Sequence, residues 1–485
     1  MRSPSADLGQ RAGYLARRPA QASQQAWLYL LTVVGAATAT VGGALAAVSP
    51  NLAFVAVVGM IGASCLALLS SALSLMGLLT IRSLTDASAT TPIVAGLNAG
   101  AVLGLVVIAS AGALVVTRLI EKRQAVRGLM ASVVVTGMMV YWFGIGVLHY
   151  GMDESLIREL VRAVSIVAVA LIAANSDRSV TASRMGTIVV VAALIPAILV
   201  VNEAVTHWPE MVGGGLRPRG TMSHPNAAAI LFGIAAPVAV WKFTHDGGGK
   251  RYLWAAGFFV FAVLLTRSLG GLAQTTVGLL ALGALQQGGS RLFRVGVFVA
   301  VAAIAYVFIA DPLGISRVSE LESTTLQIQQ GAQDNNSFEW RLVNWSLFLD
   351  KWQESRLLGF GLGTTDEIIA PLGHLPHSDP VRFLVETGIL GVSLISVGVL
   401  LLVNRLVLLA KVGPDGSFAI TALAVVCGVG THMLVTHVSF NTAPVYVLAA
   451  LLGWLLSRQP EVVPEEDRAS QRRAHRLLDA TQPQH

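Results

Sequence analysis

The stretch His377-Ser378-Asp379-Pro380 has the clearest chemical potential in this chain. An aspartate before a proline is a good helix N-cap, with the proline in a compatible first position. His377 then precedes the positive end of a helix, a field that disfavours the imidazolium. A neutral imidazole at an aqueous mouth can take a proton from a hydroxyl. The competing reading is an ordinary loop histidine, and what favours chemistry is the company it keeps. Arg158, Arg162, Arg217, Arg219, Arg267, Arg317, Arg341, Arg356 and Arg382 all fall at or near one predicted membrane face. A guanidinium fork binds phosphate bidentately. Singly, each can snorkel at the membrane edge, and Arg158 and Arg162 can pair with Glu154 and Glu159 on their own helix. The case for function comes from several arginines converging. In Arg217 to Asn226, His224 and Asn226 either contact a substrate or form the turn that starts the next helix.

Other motifs exclude chemistry. Gly359-Phe360-Gly361-Leu362-Gly363 lacks dinucleotide-loop spacing and follows no strand, so it reads as a flexible turn. Thr364 with Glu367 forms a capping box, which makes Asp366-Glu367 a helix start rather than a metal pair. No Walker, zinc or DxD pattern is present, so neither a metal site nor a cofactor is expected.

These residues need elements to hold them, and composition says which. The 485 residues are 54% hydrophobic and 12% charged, with a mean hydropathy of +0.67. Soluble domains carry roughly 25% charge, so an ordinary soluble enzyme and a disordered chain are both excluded. Apolar runs are found at 27–48, 51–80, 93–117, 129–149, 156–174, 186–201, 226–241, 252–268, 270–288, 294–310, 381–404, 417–437 and 441–457. Runs of this kind read as membrane spans. The fold class is therefore all-α: a polytopic transmembrane helix bundle of about 12 (12–13) spans, with one long extracytoplasmic loop containing short helices. Cys65 and Cys427 lie inside apolar runs and read as packed thiols. The +6 charge is scattered, which suits anionic lipid and does not suggest nucleic acid.

Short basic connections at 118–128, 175–185, 242–251, 289–294 and 405–416, with the basic tail, fall on one side and read as cytoplasmic. The predicted organisation is a cytoplasmic tail over 1–26, a bundle over 27–310, an extracytoplasmic catalytic loop over 311–380, further spans over 381–457 and a second cytoplasmic tail over 458–485. Thirteen passes would put the basic N-terminus outside, so twelve crossings with both ends inside is the preferred count. The 311–380 loop far exceeds ordinary connection lengths, which points to function. Within it Ser337 can cap a helix whose one face is Phe338, Leu342, Trp345, Leu349 and Trp352. That face lies either on the membrane surface or on the top of the bundle, and both place Arg341 near the outer face.

In order and spacing, four stretches resemble the bacterial O-antigen ligase/polymerase superfamily. They are Arg217 to Asn226, Leu265 to Gly271, Trp340-Arg341 through Gly363, and His377-Ser378-Asp379 with Leu384 to Gly391. Ser378 stands where the family has Asn. In the S-R-G turn, Leu269 stands where the family has Arg, with Arg267 two positions earlier. The resemblance implies a metal-independent, inverting glycosyltransferase of the bacterial inner membrane, working at the extracytoplasmic face. Its donor is an undecaprenyl-diphosphate-linked glycan and its acceptor a glycan, lipid or protein hydroxyl. Arg341 and Arg267, with Arg217 or Arg219, hold the diphosphate and His377 accepts the proton. Asp379, Arg382, Glu386, His224 and Asn226 support the site or its acceptor side. Two other classes compete. A transporter or flippase of a lipid-linked or anionic solute would favour mid-membrane charges and inverted repeats, and a non-catalytic scaffold of a polysaccharide assembly complex would tolerate the altered S-R-G turn.

Overall fold

The computed structural model describes residues 72–88, 92–94, 97–121, 125–177, 179–212, 216–247, 249–286, 338–366, 368–370 and 375–458. The predicted spans at 27–48 and 294–310, most of that at 51–80, Cys65, Arg317, Glu367 and both tails lie outside these residues. The described chain is a helical membrane bundle. Its helices are α1 (Ala72–Leu84), α2 (Ala99–Glu121), α3 (Leu129–Tyr150), α4 (Glu154–Ala174), α5 (Ala182–Thr206), α6 (Trp208–Val212), α7 (Pro225–His245), α8 (Lys250–Leu265), α9 (Leu269–Leu285), α10 (Phe338–Trp352), α11 (Asp379–Val412), α12 (Gly416–Met433) and α13 (Thr442–Leu456). A short antiparallel pair, β1 (Pro92–Val94) and β2 (Leu97–Asn98), precedes α2. Six helices, α2, α3, α5, α7, α11 and α12, are long and apolar enough to cross a membrane, and α1, α9 and α13 are shorter apolar helices.

Helix α7 is the axis. Of its most apolar stretch 89% is buried, against 11% for α3 and for α11. Exposed Leu148, Leu400 and Leu401 give α3 and α11 apolar outer faces, as helices facing lipid should have. Small residues let neighbours approach α7 closely. A Cβ added at Gly271 of α9 would lie 2.3 Å from the Ala229 Cβ of α7. Helices α5, α8, α9, α12 and α13 pack around this axis.

Polarity separates the two ends. At one end Arg118 donates to the Asn175 carbonyl, Lys242 binds Asp246 and Ser183, and Arg458 donates to the Val180 carbonyl. These belong to the short basic connections. At the opposite end lie the N-termini of α4, α7, α9, α11 and α13, and there the sequence-selected arginines and histidines gather.

Candidate functional site

A cavity of about 340 Å³ opens at this second end between α7, α9, α10 and α12, and Arg217, Arg267 and Arg341 all line it. Each comes from a different element. Arg217 precedes α7 and its Nη2 donates to Asn226 Oδ1 at 3.1 Å. Arg267 sits in the three-residue turn between α8 and α9, where its Nη1 donates to the Met211 carbonyl at 3.3 Å. Arg341 projects from α10 and its Nη1 donates to the Val435 carbonyl at 3.0 Å. Asn226 ties the wall together, because its Oδ1 also accepts from Ser268 Oγ at 2.9 Å and its Nδ2 donates to Thr436 Oγ1 at 3.2 Å. Leu269 lines the same cavity. Among the described residues no carboxylate lines it. Three guanidinium groups around one cavity favour an anionic ligand.

His432 also lines this cavity, and sequence reasoning passed it over. Gln274 Nε2 donates to the Ile230 carbonyl at 3.0 Å, which turns its Oε1 towards His432 Nδ1 at 2.7 Å. His432 Nδ1–H therefore donates, and Nε2 keeps its lone pair. That Nε2 is buried with no hydrogen-bond partner among the described residues.

His377 does not line the cavity, yet it is held by the same two elements as Arg341. On α10, Asn344 Nδ2 donates to the Leu375 carbonyl at 2.9 Å and Trp345 Nε1 donates to the Pro376 carbonyl. From the α12–α13 connection, His437 Nε2 accepts the His377 backbone N–H at 2.6 Å, and the two rings lie 5.0 Å apart. Burial, then the neighbouring His377, Arg382, Arg162 and Arg341, push the His437 imidazole well below its ordinary value. It is neutral at neutral pH, as an accepting Nε2 requires. Backbone geometry singles out the same residues: among the described non-glycines only Arg267 (φ +53°) and His377 (φ +51°) have positive φ. Such a conformation costs about 1–3 kcal/mol and persists only where its surroundings impose it.

The supporting residues divide. Arg382 and Glu386 are buried in an ion-paired network: Arg382 Nε reaches Glu386 Oε1 at 3.1 Å, Nη2 reaches Glu159 Oε1 at 2.5 Å and Nη1 reaches Ser439 Oγ at 2.8 Å. Arg162 joins through Glu159, and both Arg162 and Arg382 lie over the Phe440 ring, 3.8 and 3.9 Å from its centroid. Arg219 is not in the arginine cavity; its Nη1 donates to the Ser223 carbonyl at 3.1 Å, in an exposed turn. His224 caps α7, its Nδ1 accepting the Asn226 N–H at 3.1 Å.

Several local expectations need correction. Ser378, not Asp379, is the N-cap of α11. Asp379 turns its carboxylate to the α12–α13 connection instead, accepting from Val438 N (2.9 Å), Ser439 N (3.1 Å) and Ser439 Oγ (2.5 Å). Satisfying a long-range loop outcompetes local capping here. On α10 the covered face is Asn344 and Phe348, while Leu342 is 46% exposed. The apolar periodicity missed this because a buried asparagine is the residue that bonds Leu375. The glycine run is packed rather than flexible. Helix α11 breaks at Gly388 (φ +62°), and the freed backbone pairs with 356–361: Phe360 N donates to the Val385 carbonyl, Gly361 N to that of Glu386, and Ile389 N to that of Arg356. A Cβ on Gly361 would lie 2.1 Å from the Gly146 nitrogen. Residues 362–366 are turns, with Thr364 Oγ1 donating to the Gly361 carbonyl, so no helix starts there.

Fold and site together define a polytopic helical membrane protein with an arginine-lined polar cavity at one end of its bundle. Residues 254–396 match the family model for O-antigen ligase, in agreement with the resemblance read from the sequence motifs. The match supports, in general terms, an O-antigen ligase-like membrane glycosyltransferase. No curated protein matches the chain. The matched segment includes Arg267, Arg341, His377, Asp379, Arg382 and Glu386, whereas Arg217, Asn226, His432 and Thr436 complete the same cavity from outside it.

The residues that sequence reading missed, His432, Thr436, His437 and Ser439, sit between α12 and α13 or at the end of α12. A signal was available: Thr431-His432 and Thr436-His437, then Ser439 and Asn441, interrupt two otherwise apolar runs.

Proposed function

We propose that the protein transfers a glycan from an undecaprenyl-diphosphate carrier to an acceptor hydroxyl at the extracytoplasmic face of the bacterial inner membrane. The observation that carries this is the gathering of Arg217, Arg267 and Arg341 in one cavity that no carboxylate lines among the described residues. The opposite end carries the short basic connections, so charge bias turns the cavity away from the cytoplasm. The 311–380 segment then forms the catalytic loop, between a bundle over 27–310 and further spans over 381–457.

The chemistry follows from the charges. The diphosphate sits among the three guanidinium groups, and His377 stands at the rim on the acceptor side. The acceptor oxygen forms its bond to the sugar C1 on the face opposite the leaving group, which inverts that centre. The C1–O bond breaks and its electron pair stays on the diphosphate oxygen. The acceptor proton passes to His377. Because negative charge grows on the diphosphate as the bond breaks, fixed guanidinium groups lower the barrier, and the step proceeds without a metal. Arg219 contributes at most from the exposed turn. Asp379, Arg382 and Glu386 position the elements around His377.

One observation favours a second assignment of the base: His432 lines the cavity and His377 does not. Both are tested together. His377→Ala, His432→Ala and Arg341→Ala are introduced into the chromosomal gene and surface glycan is measured at matched membrane levels of protein. Loss of a base lowers the rate about 10²–10⁴-fold. Loss with His377→Ala supports the primary assignment, and loss only with His432→Ala moves the base. Normal glycan in all three contradicts the function.

A further inference from the structure

The molecule holds a second cavity of about 450 Å³, separated from the first by the α12–α13 connection. Leu434, Val435 and Thr436 face the arginine cavity, while Phe440, Asn441 and Thr442 face the second one. His437, with the His377 ring 5.0 Å away, sits between those two triplets in the chain.

The second cavity also contains three arginines, but its electrostatics differ. Arg82 is 3.0 Å from Asp86, Arg158 is 2.9 Å from Glu154, and Arg162 pairs with Glu159. Asp86 and Asp366 are themselves part of the lining. A diphosphate entering here would meet carboxylates and already neutralised guanidinium groups. What the cavity offers is hydrogen bonding without net charge, from Asn98, Ser155, Ser165, Ser223, Asn441 and Thr442. Arg82 supplies further donors. It is 2% exposed, and its Nε and Nη1 have no hydrogen-bond partner among the described residues. Buried donors left unmatched are destabilising, and a ligand bearing hydroxyl acceptors satisfies them. The volume lies within the range of about 300–1,000 Å³ typical of small-ligand sites.

We infer that this second cavity binds a neutral sugar, the terminal residue of the acceptor glycan, and presents its hydroxyl to the histidines across the α12–α13 connection. The inference rests on the proposed transfer reaction and narrows its acceptor to a saccharide with an uncharged end. The same sugar chemistry could come from the donor glycan, so the test separates the two sources.

Full-length protein in lipid nanodiscs is probed by saturation-transfer NMR with D-galactose, D-mannose and N-acetyl-D-glucosamine, and with D-glucuronate and farnesyl diphosphate as anionic probes. Gly100→Leu fills the cavity and Thr442→Val removes one hydroxyl; a thermal melt of each variant checks folding. The expected result is a neutral-sugar signal reduced about tenfold in Gly100→Leu and reduced in Thr442→Val, with farnesyl diphosphate binding unchanged. Arg341→Ala gives the reverse. Neutral-sugar signals that survive Gly100→Leu, that collapse in Arg341→Ala instead, that are weaker than glucuronate's, or that are absent for all three sugars overturn the inference. If Arg341→Ala leaves farnesyl diphosphate binding intact while Gly100→Leu removes sugar binding, the diphosphate reading fails and the sugar site stands. The source is decided in cells carrying Gly100→Leu on the chromosome. An acceptor site predicts surface glycan down about tenfold, with free glycan released by water attack undiminished. Equal loss of both assigns the cavity to the donor and overturns the acceptor assignment.

Discussion

Two cavities at one end of the same bundle each carry three arginines, and they differ in what surrounds the guanidinium groups. Arg217, Arg267 and Arg341 donate to carbonyl oxygens and to the Asn226 amide, and among the described residues no carboxylate lines the wall. Around Arg82, Arg158 and Arg162 every guanidinium has an acidic partner. The lesson is that an arginine count identifies nothing by itself. What separates the two sets is the lining around them: carboxylates stand in the wall of the second cavity, and among the described residues none stands in the wall of the first.

The comparison can be broken at several points. The largest expected effect is on catalysis. Arg341→Ala, or the double variant Arg217→Ala/Arg267→Ala, should lower transfer about 10²–10³-fold, as loss of a fixed group that stabilises developing charge does, with little change in the melting temperature. Arg382→Ala should behave in the opposite way. Removing one partner of a buried pair costs about 3–5 kcal/mol, so the variant should be lost from the membrane or melt far lower before activity is measured. If Arg341→Ala destabilises as much as Arg382→Ala, the division between ligand-directed and structural arginines is wrong.

Gly388→Ala tests the packing of 356–361 on α11. Its Cβ would lie 2.3 Å from the Leu357 carbonyl oxygen, which would push 356–361 off α11, and folded protein should fall several-fold by quantitative immunoblot of membranes. A smaller effect separates strain from function at His377. His377→Gly should remove about 1 kcal/mol of left-handed backbone strain and raise the melting temperature above that of His377→Ala, while both lose transfer. Equal melting temperatures would mean that the turn stores no strain.

The smallest effect is on pH. His437 has a folded value well below 6.5. Its contribution to stability is therefore complete above about 6.5 and is lost as the pH falls towards the folded value. A thermal melt series should show stability declining below that pH in the wild type, and declining less in His437→Gln.

Much of this was legible in the sequence. Composition and apolar runs give a helical membrane bundle, and Arg217, Arg267 and Arg341 converge although 124 positions separate the first from the last. Illegible were the interactions that cross between elements. Asp379 looks like a cap because its neighbour is a proline, but its partners lie about sixty positions away in the α12–α13 connection. Asn344 sits on the polar side of an apolar count, yet it is buried because Leu375 needs a donor. The glycines at 359, 361 and 363 read as flexible because sequence does not show that α11 breaks beside them. The second cavity was invisible for the same reason: Arg158 and Arg162 and their pairing were foreseen, but Arg82 was not, and the hydroxyl and amide groups that line it come from four separate parts of the chain.

The most direct measurement is a titration of farnesyl diphosphate into the full-length protein in nanodiscs, comparing wild type, Arg341→Ala and Arg158→Ala by calorimetry. Arg341→Ala should weaken binding about tenfold or more, because it removes a charge-assisted contact worth about 1.5–3 kcal/mol, and Arg158→Ala should leave it unchanged. Equal weakening by both variants, or by neither, would contradict the assignment of the first cavity to the diphosphate.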